Sequence, residues 1–324
     1  MESAIAEHAG VDLSRLHWDA QAIVHAYRAI APLCCDVLRV LPPQPALAGL
    51  SYVHLSTLGA EVAFPPNSEP AIHRPVLAAP QQIDALAEPD DYLAAGLVPA
   101  RLRARDELAE ALGTEAVDPG LKAEGPVTTA VLLFGPQFFT LPYDDPQRAH
   151  RLLEFCVRSA VNFQRAAAEH EARPWVPGPV GMPDDFGGAF PPKLFAEFVV
   201  PHWQMYYEGM SATERYLHSE LLRVEHLPWL AELGITEFDP GVDQYLTPEA
   251  LAQSCPVPFS CRFSCWQQRE MSAEELDARY RQIAALAPRY ISFELEWMDN
   301  LPKALALLQV ARELAGEERA PSRP

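Results

Sequence analysis

Short runs of β-branched and aromatic residues alternate with runs of helical periodicity from about residue 121 onward. This alternation is typical of βαβ units, in which a helix connects two parallel strands. It predicts an α/β fold with a parallel sheet, and it places the loops that follow the strands at one edge of that sheet. The predicted strands are residues 127–134, 175–180, 215–220, 236–239, 258–264 and 290–296.

Capping residues indicate where three of the intervening helices begin. Asp145 and Thr247 each precede a proline, so each can accept a hydrogen bond at the N-cap while proline takes the first helical position. Ser272, with Glu275 three residues later, predicts a capping box. The first 120 residues are less regular.

Within that N-terminal region, residues 16–40 have the periodicity of a helix, and residues 101–112 predict a charged surface helix. Residues 52–64 form a β-like run. Proline-rich segments over 41–45 and 65–70 separate these elements, and the second segment is incompatible with a central strand.

The chain carries 25 Lys+Arg against 44 Asp+Glu, a net charge of −19. This charge repels phosphate backbones, and the basic residues are scattered, so nucleic-acid binding is not expected. Apolar runs fall far short of the roughly 18 residues of a membrane helix, and the start Met1-Glu2-Ser3 is not that of a basic signal peptide. We therefore expect a soluble cytoplasmic protein that binds no membrane.

Common nucleotide and hydrolase motifs are absent from the sequence, namely G-x-G-x-x-G, G-x-x-x-x-G-K, H-E-x-x-H and G-x-S-x-G. The six cysteines include no C-x-x-C pair. Cys255, Cys261 and Cys265 are spaced by six and four residues, without a matching pair elsewhere. Such spacing fits small buried thiols better than a zinc site.

The segment around His218 is the clearest candidate for chemistry. On a strand, Tyr216, His218 and Glu220 alternate onto one face, so an imidazole and a carboxylate converge at the strand's carboxyl end. In a helix, His218 and Glu220 would lie about 200° apart and could not share a ligand. A helical pattern over 224–234 ends at Gly234, so we expect the strand to end near Glu220. The alternative is a histidine satisfied by a backbone carbonyl, with Glu220 in solvent.

Two acidic loops offer further candidates. Asp184 and Asp185 follow a predicted strand, in a loop where they could either contact a substrate or cap the helix that begins near Pro191. Asp239 and Asp243 flank a Pro-Gly pair at another strand end, where catalysis and turn formation are equally open.

Several segments carry a family resemblance. G-P-V-T-T-A at 125–130, P-P-K-L-F-A-E-F-V-V-P at 191–201 and the run 218–239 stand in the same order as segments of the uroporphyrinogen decarboxylase superfamily. They resemble its Gly-Pro strand, its S-P-x-x-F-x-E-F-x-x-P helix start, and its H-x-C strand with the acidic strand that follows. Residues 299–305 resemble its late T-P-x-E-N-L-x-A segment. The resemblance covers about residues 52–314, and the helix start is its most specific part.

The resemblance implies a TIM (β/α)8 barrel with N-terminal helical additions. We accordingly expect N-terminal helices and the first barrel elements in residues 1–120, the remainder of the barrel in 121–315, and a disordered tail in 316–324. True decarboxylases of the superfamily hold a tetrapyrrole with an R-Q-A-G-R stretch, which this sequence lacks. The chain therefore looks closer to the corrinoid and coenzyme M methyltransferase branch, which binds zinc through H-x-C and a later cysteine.

The chain departs from the ligand pattern of that branch. It keeps His218, but Glu220 replaces the cysteine of H-x-C, and Glu294 and Glu296 stand where the later cysteine would be. Histidine with carboxylates is a harder ligand set than histidine with thiolates, so the divalent metal implied is Zn, Fe or Mn. A corrinoid is the implied methyl donor.

The late strand raises the question of which carboxylate completes the site. Alternation along 290–296 turns Glu294 and Glu296 toward the barrel interior, which predicts Glu296 as a metal ligand and Glu294 as a partner of His218. The alternative is that the strand ends before Glu294 and that both side chains are solvated.

The resulting hypothesis is metal-assisted methyl transfer from a corrinoid-type donor to a small nucleophile at the His218 site, with Tyr216 and Asp239 contacting the substrate. A corrinoid protein is a candidate partner, and the oligomeric state is open, with a homodimer as one candidate. A second hypothesis is decarboxylation of a carboxylated substrate, with Asp184 or Asp185 as proton donor or binder. A third is a non-catalytic protein that binds a corrinoid or a tetrapyrrole.

Overall fold

A computed structural model describes residues 2–114 and 117–316 of the chain. Residues 317–324 of the predicted tail lie outside the described residues. The strands are β1 (Val62–Ala63), β2 (Ala71–Ile72), β3 (Gly178–Pro183), β4 (Ala212–His218), β5 (Glu237–Asp239), β6 (Cys261–Phe263) and β7 (Ile291–Phe293).

Helices occupy much of the chain before and between these strands, together with short 3-10 and π-helical turns. The α-helices are α1 (Glu2–Ala9), α2 (Ala20–Pro32), α3 (Val53–Thr57), α4 (Val98–Leu112), α5 (Pro126–Phe134), α6 (Leu141–Asp144), α7 (Pro146–His170), α8 (Pro192–Leu194), α9 (Val200–Gly209), α10 (Pro228–Glu232), α11 (Pro248–Ser254), α12 (Cys265–Glu270), α13 (Ala273–Ala285) and α14 (Leu301–Leu314). None of the helices in the described ranges is long and apolar enough to span a membrane.

The parallel strands follow one another in sequence order. β3, β4 and β5 form one parallel sheet, β6 pairs in parallel with β7, and a bridge between Phe238 and Phe259 links the two sheets. β1 and β2 form a separate antiparallel pair. The predicted α/β class with parallel strands is confirmed, whereas the pairings within residues 2–114 and 117–316 do not by themselves close an eight-stranded ring.

Side chains on the parallel strands alternate between an apolar and a polar face. Leu217, Phe238 and Phe263 are at most 2% exposed and belong to the main hydrophobic core. Their neighbours His218 and Arg262 therefore point to the opposite face, because successive side chains on a strand alternate. The carboxyl end of that opposite face carries the polar groups described below.

Residues 127–134, predicted as a strand, form helix α5 instead. Pro126 takes the first helical position after Gly125, whose backbone is extended. Nearly every side chain of α5 is buried. The strand prediction was wrong because a short apolar run that is buried on all sides has no periodicity to distinguish a helix from a strand.

Two strands end earlier in the chain than predicted. β4 ends at His218 rather than near Glu220, and Leu221 then adopts a positive φ of 64°, which an extended strand does not allow. β7 ends at Phe293, so Glu294 and Glu296 belong to the following loop. The alternation predicted through these three glutamates therefore does not extend to them.

The capping predictions are confirmed. Asp145 accepts a hydrogen bond from the backbone N–H of Arg148, and Thr247 from that of Ala250. The Ser272 capping box forms at the start of α13. Local hydrogen bonding between neighbours in sequence explains why these signals could be identified without knowledge of the fold.

The N-terminal predictions are only partly correct. The run 52–64 divides into helix α3 and strand β1, and the helix predicted over 16–40 narrows to α2 followed by a π-helical turn. Arg101, predicted on a charged surface, is fully buried on α4. Its guanidinium donates to the backbone carbonyls of His17, Ala48 and Pro119, so long-range contacts determine its burial.

Gly188 fixes the distance between the loops after β3 and β4, and its substitution should be destabilising. A Cβ at Gly188 would lie 2.2 Å from the carbonyl carbon of Leu221, so Gly188→Ala should lower the free energy of unfolding by about 2 kcal/mol or more. Gly178→Ala is the control, since its Cβ would lie 3.9 Å from its nearest neighbour. Urea denaturation of both variants measures the difference, and equal stability would contradict the described packing.

Candidate active site

The candidate site is built on a row of residues at the carboxyl ends of three parallel strands. Pro183, His218 and Asp239 are register partners on β3, β4 and β5. Because paired residues face the same side of a sheet, the imidazole of His218 meets the carboxylate of Asp239. The Nδ1 atom of His218 lies 3.0 Å from Oδ2 of Asp239.

Asp239 is held by donors from three directions. Arg262 donates to Oδ2 at 2.8 Å, while the Ser260 hydroxyl and the Gly241 N–H donate to Oδ1 at 3.1 and 3.0 Å. Burial raises the pKa of Asp239, but the hydrogen bonds from His218 and Gly241 and the charge of Arg262 outweigh burial and hold it well below the ordinary value. Asp239 is therefore a fixed anion that orients His218, as well as the turn former that its Pro-Gly sequence predicted.

The second nitrogen of His218 faces another carboxylate. Nε2 lies 3.3 Å from Oδ1 of Asp185, and that oxygen is buried without a hydrogen-bond partner. Burial lowers the pKa of His218, but the hydrogen bond to Asp239 and the charge of Asp185 outweigh burial, so the pKa is raised. Burial raises the pKa of Asp185, and the positive charge of His218 offsets only part of this rise.

Glu220 reaches the same place from the loop after β4. Its Oε1 accepts a long hydrogen bond of 3.3 Å from the N–H of Val242. Gly241 separates Glu220 from His218: a Cβ there would lie 2.5 Å from Oε1 of Glu220 and 2.9 Å from Cε1 of His218. With φ at 63°, Gly241 has both the backbone conformation and the space that only glycine accommodates without strain.

Asp184 has a different role from its neighbour. It is fully buried and accepts hydrogen bonds from the N–H groups of Val127 and Thr128 and from Nε1 of Trp203. It thus caps α5, not the helix near Pro191 that the sequence suggested. Burial raises the pKa of Asp184 to about 6, although these donors oppose the shift.

The late glutamates, Glu294 and Glu296, have partners on other parts of the chain. Glu296 accepts a hydrogen bond of 2.8 Å from the hydroxyl of Ser3, and Glu294 lies 3.8 Å from NH1 of Arg262. The sequence expectation that Glu296 is a ligand and Glu294 a partner of His218 assumed a strand that continues to Glu296, and β7 ends at Phe293. Their metal-binding roles stay a prediction.

The structure reveals Glu124 and Arg262 as site residues that sequence reasoning missed. Glu124 is 6% exposed, and its Oε2 has no hydrogen-bond partner. Burial raises its pKa to about 7 against a hydrogen bond from Ser51, and the charges of Asp185 and Asp184 add to the rise. Arg262 could have been found, because it is the polar residue between two apolar ones in a predicted strand; Glu124 carried no such signal.

A cleft of about 550 Å³, the His218 cleft, opens along the polar face of the strands. Tyr216 contributes to its wall, and the hydroxyl of Tyr216 donates to Glu214 at 2.6 Å. Its contact with a substrate stays a prediction. The lining includes Lys122, Gly181, Pro183, Tyr216, His218, Glu237 and Asp239.

The side chains around His218 include donor atoms that a metal ion could use. Among the described residues, no group of three or more His, Cys, Asp or Glu side chains is already arranged to hold a metal. The donors that come nearest to such a site are Nε2 of His218, the unpartnered Oδ1 of Asp185 and the carboxylate of Glu220. These three fit a hard divalent cation if Glu220 turns toward the other two, and Asp239 already supports His218 at Nδ1.

Comparison with known proteins identifies a matching family model and several solved structures of similar fold. The family model described as uroporphyrinogen decarboxylase (URO-D) matches residues 50–255. A solved structure described as a methyltransferase from Methanosarcina mazei aligns with a TM-score of 0.69 and 15% identity, covering 96% of this chain and 90% of that chain. At that identity the similarity shows a shared fold. No curated protein sequence matches the chain.

Removing the Asp184 carboxylate should destabilise the fold strongly. Asp184→Ala leaves two backbone N–H groups and the Trp203 indole buried without an acceptor, so the free energy of unfolding should fall by about 3 kcal/mol or more. Urea denaturation measures the loss, with Asp90→Ala as an exposed control. A loss equal to that of the control would contradict the capping role.

Glu124 should make stability depend on pH. Burial raises the pKa of Glu124 to about 7 in the folded protein. The folded state therefore loses stability as the pH rises from the ordinary pKa of a glutamate to about 7, and the loss is complete above that pH. Below about pH 4 the group is neutral in both states, so it has little effect there. Glu124→Gln should therefore stabilise the protein relative to wild type by about 1 kcal/mol or more at pH 8, and little at pH 4. Unfolding curves at both pH values test this. A difference that does not change with pH would contradict it.

Proposed function

Because the chain belongs to the uroporphyrinogen decarboxylase family, we propose that it is an enzyme that transfers a methyl group to a small nucleophile in the His218 cleft. The observation that carries this proposal is the arrangement of His218 between the carboxylates of Asp239 and Asp185. The shared fold with a methyltransferase supports the same branch of the superfamily, and we propose a closed (β/α)8 barrel as the complete architecture.

The charge around the cleft favours methyl transfer over decarboxylation of a polycarboxylate. Acidic side chains outnumber basic ones there; the acidic residues are Glu124, Asp185, Glu220, Glu237 and Asp239, and the basic ones are Lys122 and Arg262. A substrate with several carboxylates would be repelled, and Arg262 is already engaged by Asp239. Nearby carboxylates can, by contrast, accept the proton that a nucleophile loses during methyl transfer.

We propose His218, Asp185 and Glu220 as the ligands of a divalent metal, Zn, Fe or Mn. Asp185 takes the role that the sequence gave to Glu296, because its unpartnered Oδ1 faces Nε2 of His218. A bound divalent metal would lower the pKa of a coordinated nucleophile. Asp239, by accepting from Nδ1, would leave Nε2 of His218 as the nitrogen directed at the metal, which would replace the proton on that atom.

The reaction releases one proton when the nucleophile exchanges its X–H bond for an X–CH3 bond. The bond between the methyl group and its donor breaks, and the donor would keep the electron pair of that bond. Glu124 can hold the released proton at Oε2, which is buried and has no hydrogen-bond partner. The proposed methyl donor is a corrinoid presented by a partner protein, which is the donor that the methyltransferase branch implies.

Metal analysis separates this proposal from its alternatives. Protein expressed with supplemented metal should contain about one divalent ion per chain, and His218→Ala should lose it while keeping the fold, because the site lies at the strand ends and not in the core. Asp185→Asn should weaken binding by about tenfold or more, as expected for a lost ligand.

Glu237→Gln provides the matched control, since it removes one carboxylate from the same cleft outside the proposed ligand set. Elemental analysis and circular dichroism of the four proteins give the answer. Equal metal content in wild type and His218→Ala, or none in either, would overturn the proposed site.

Product analysis separates methyl transfer from decarboxylation. Purified protein should demethylate methylcobalamin, used as a free corrinoid probe, only when a thiol or amine nucleophile is present, and it should release no CO2. Incubation with uroporphyrinogen should yield no CO2, because the carboxylate-rich cleft disfavours a polycarboxylate. CO2 release from uroporphyrinogen would favour the decarboxylase instead, and corrinoid binding without turnover would favour a non-catalytic carrier.

A further inference from the structure

A second cleft lies on the other side of β3 from β4. It has a volume of about 650 Å³ and is bounded by β3, by residues 49–51 and by side chains of α7 and α9. We call it the Trp175 cleft, after the half-exposed indole in its wall. The residues of the His218 cleft that carry the proposed chemistry, His218 and Asp239, do not line it.

The two clefts meet at Gly181. Lys122, Gly181 and Pro183 line both of them. A Cβ added to Gly181 would meet nothing within 4 Å, so the space beside this residue is open. The clefts therefore adjoin at Gly181, where no side chain separates the Trp175 cleft from the row that holds His218.

The charged side chains that line the Trp175 cleft are basic, although the chain as a whole is acidic. The protein carries a net charge of −19, yet the lining of this cleft contains Lys122 and Arg173 and no Asp or Glu. Arg165 stacks on the Trp175 ring at 5.2 Å and adds a third positive charge at the rim. These cations favour an anionic ligand over a cationic one once their own acidic partners are displaced.

The two lining cations have partners that an anion could replace. Lys122 lies 3.3 Å from Asp118, and Arg173 pairs with Glu171. Both cationic side chains are more than half exposed, so these ion pairs contribute little to stability and exchange readily with an incoming anion. The guanidinium of Arg173 can bind a carboxylate or a phosphate in a bidentate manner.

We propose that the Trp175 cleft binds the anionic end, a carboxylate or phosphate group, of an elongated substrate whose reacting end lies at His218. This inference rests on the proposed function for the reacting end, whereas the anion site rests on the lining of the Trp175 cleft alone. The acidic His218 cleft and the basic Trp175 cleft would together orient such a substrate in one direction. Gly181 would set the length of chain that fits between them.

Anion binding tests the first half of this inference. Inorganic phosphate and acetate, each titrated calorimetrically at low ionic strength, distinguish a phosphate site from a carboxylate site. We expect at least one of the two anions to bind the wild-type protein. The double variant Lys122→Gln/Arg173→Gln should lower the affinity for the tighter-binding anion by about tenfold or more, as for a lost charge-assisted contact.

The control is Arg151→Gln/Arg279→Gln, which removes the same charge from exposed ion pairs elsewhere on the surface. It should change binding by less than about twofold. Equal weakening in the two double variants would show a non-specific effect of net charge and overturn the proposal, as would the failure of wild type to bind either anion.

Substitution of Gly181 tests the connection between the two clefts. The probes are ω-mercaptocarboxylates of increasing chain length, and their affinity for wild type should rise with length until both ends are seated. Gly181→Leu should abolish this length dependence, because its side chain fills the open space, while Gly181→Ala should retain it. Affinities independent of length in wild type, or unchanged in Gly181→Leu, would overturn the connection between the clefts.

The outcomes also separate this inference from the proposed function. If the protein binds an anion through Lys122 and Arg173 but binds no metal, the metal site is refuted and the anion site in the Trp175 cleft stands. If it binds a metal at His218 but no anion, only the anion site is refuted. Circular dichroism of each variant confirms that the fold is retained.

Discussion

The hydrogen bond between His218 and Asp239 is the interaction on which the site depends. It follows from the parallel register of β4 and β5, which places the two residues side by side at the strand ends. Arg262, one strand further, neutralises Asp239 and lets a charged carboxylate remain half buried. With Nδ1 engaged in this way, only Nε2 of His218 is left for chemistry, and it faces Asp185.

Two glycines give the site its shape. Gly241 allows Glu220 to approach His218, since any side chain at that position would collide with both. Gly181 leaves open the space between the acidic and the basic cleft. Two clefts of opposite charge that meet at a position without a side chain favour an elongated molecule with one anionic end, which is a narrower class of substrate than the family alone implies.

Much of the site could be predicted because it depends on short-range order. His218 and Asp239 lie near the carboxyl ends of predicted strands and Asp185 follows one, and the rule that parallel strands present their carboxyl ends together brings them to one edge. Predictions failed where a strand's end depended on the loop after it: Leu221 turns the chain out of β4, and β7 stops before Glu294. Glu124 was missed because burial of a lone glutamate depends on contacts distant in sequence.

X-ray absorption spectroscopy of the zinc- or iron-loaded protein tests most directly whether His218 and its neighbouring carboxylates form the reactive centre. We expect nitrogen and oxygen ligands only, with the scattering of one imidazole that disappears in His218→Ala. Sulfur among the ligands would instead indicate the cysteines. Sulfur scattering, or an imidazole signal that persists in His218→Ala, would show that His218 and its carboxylates are not the metal centre.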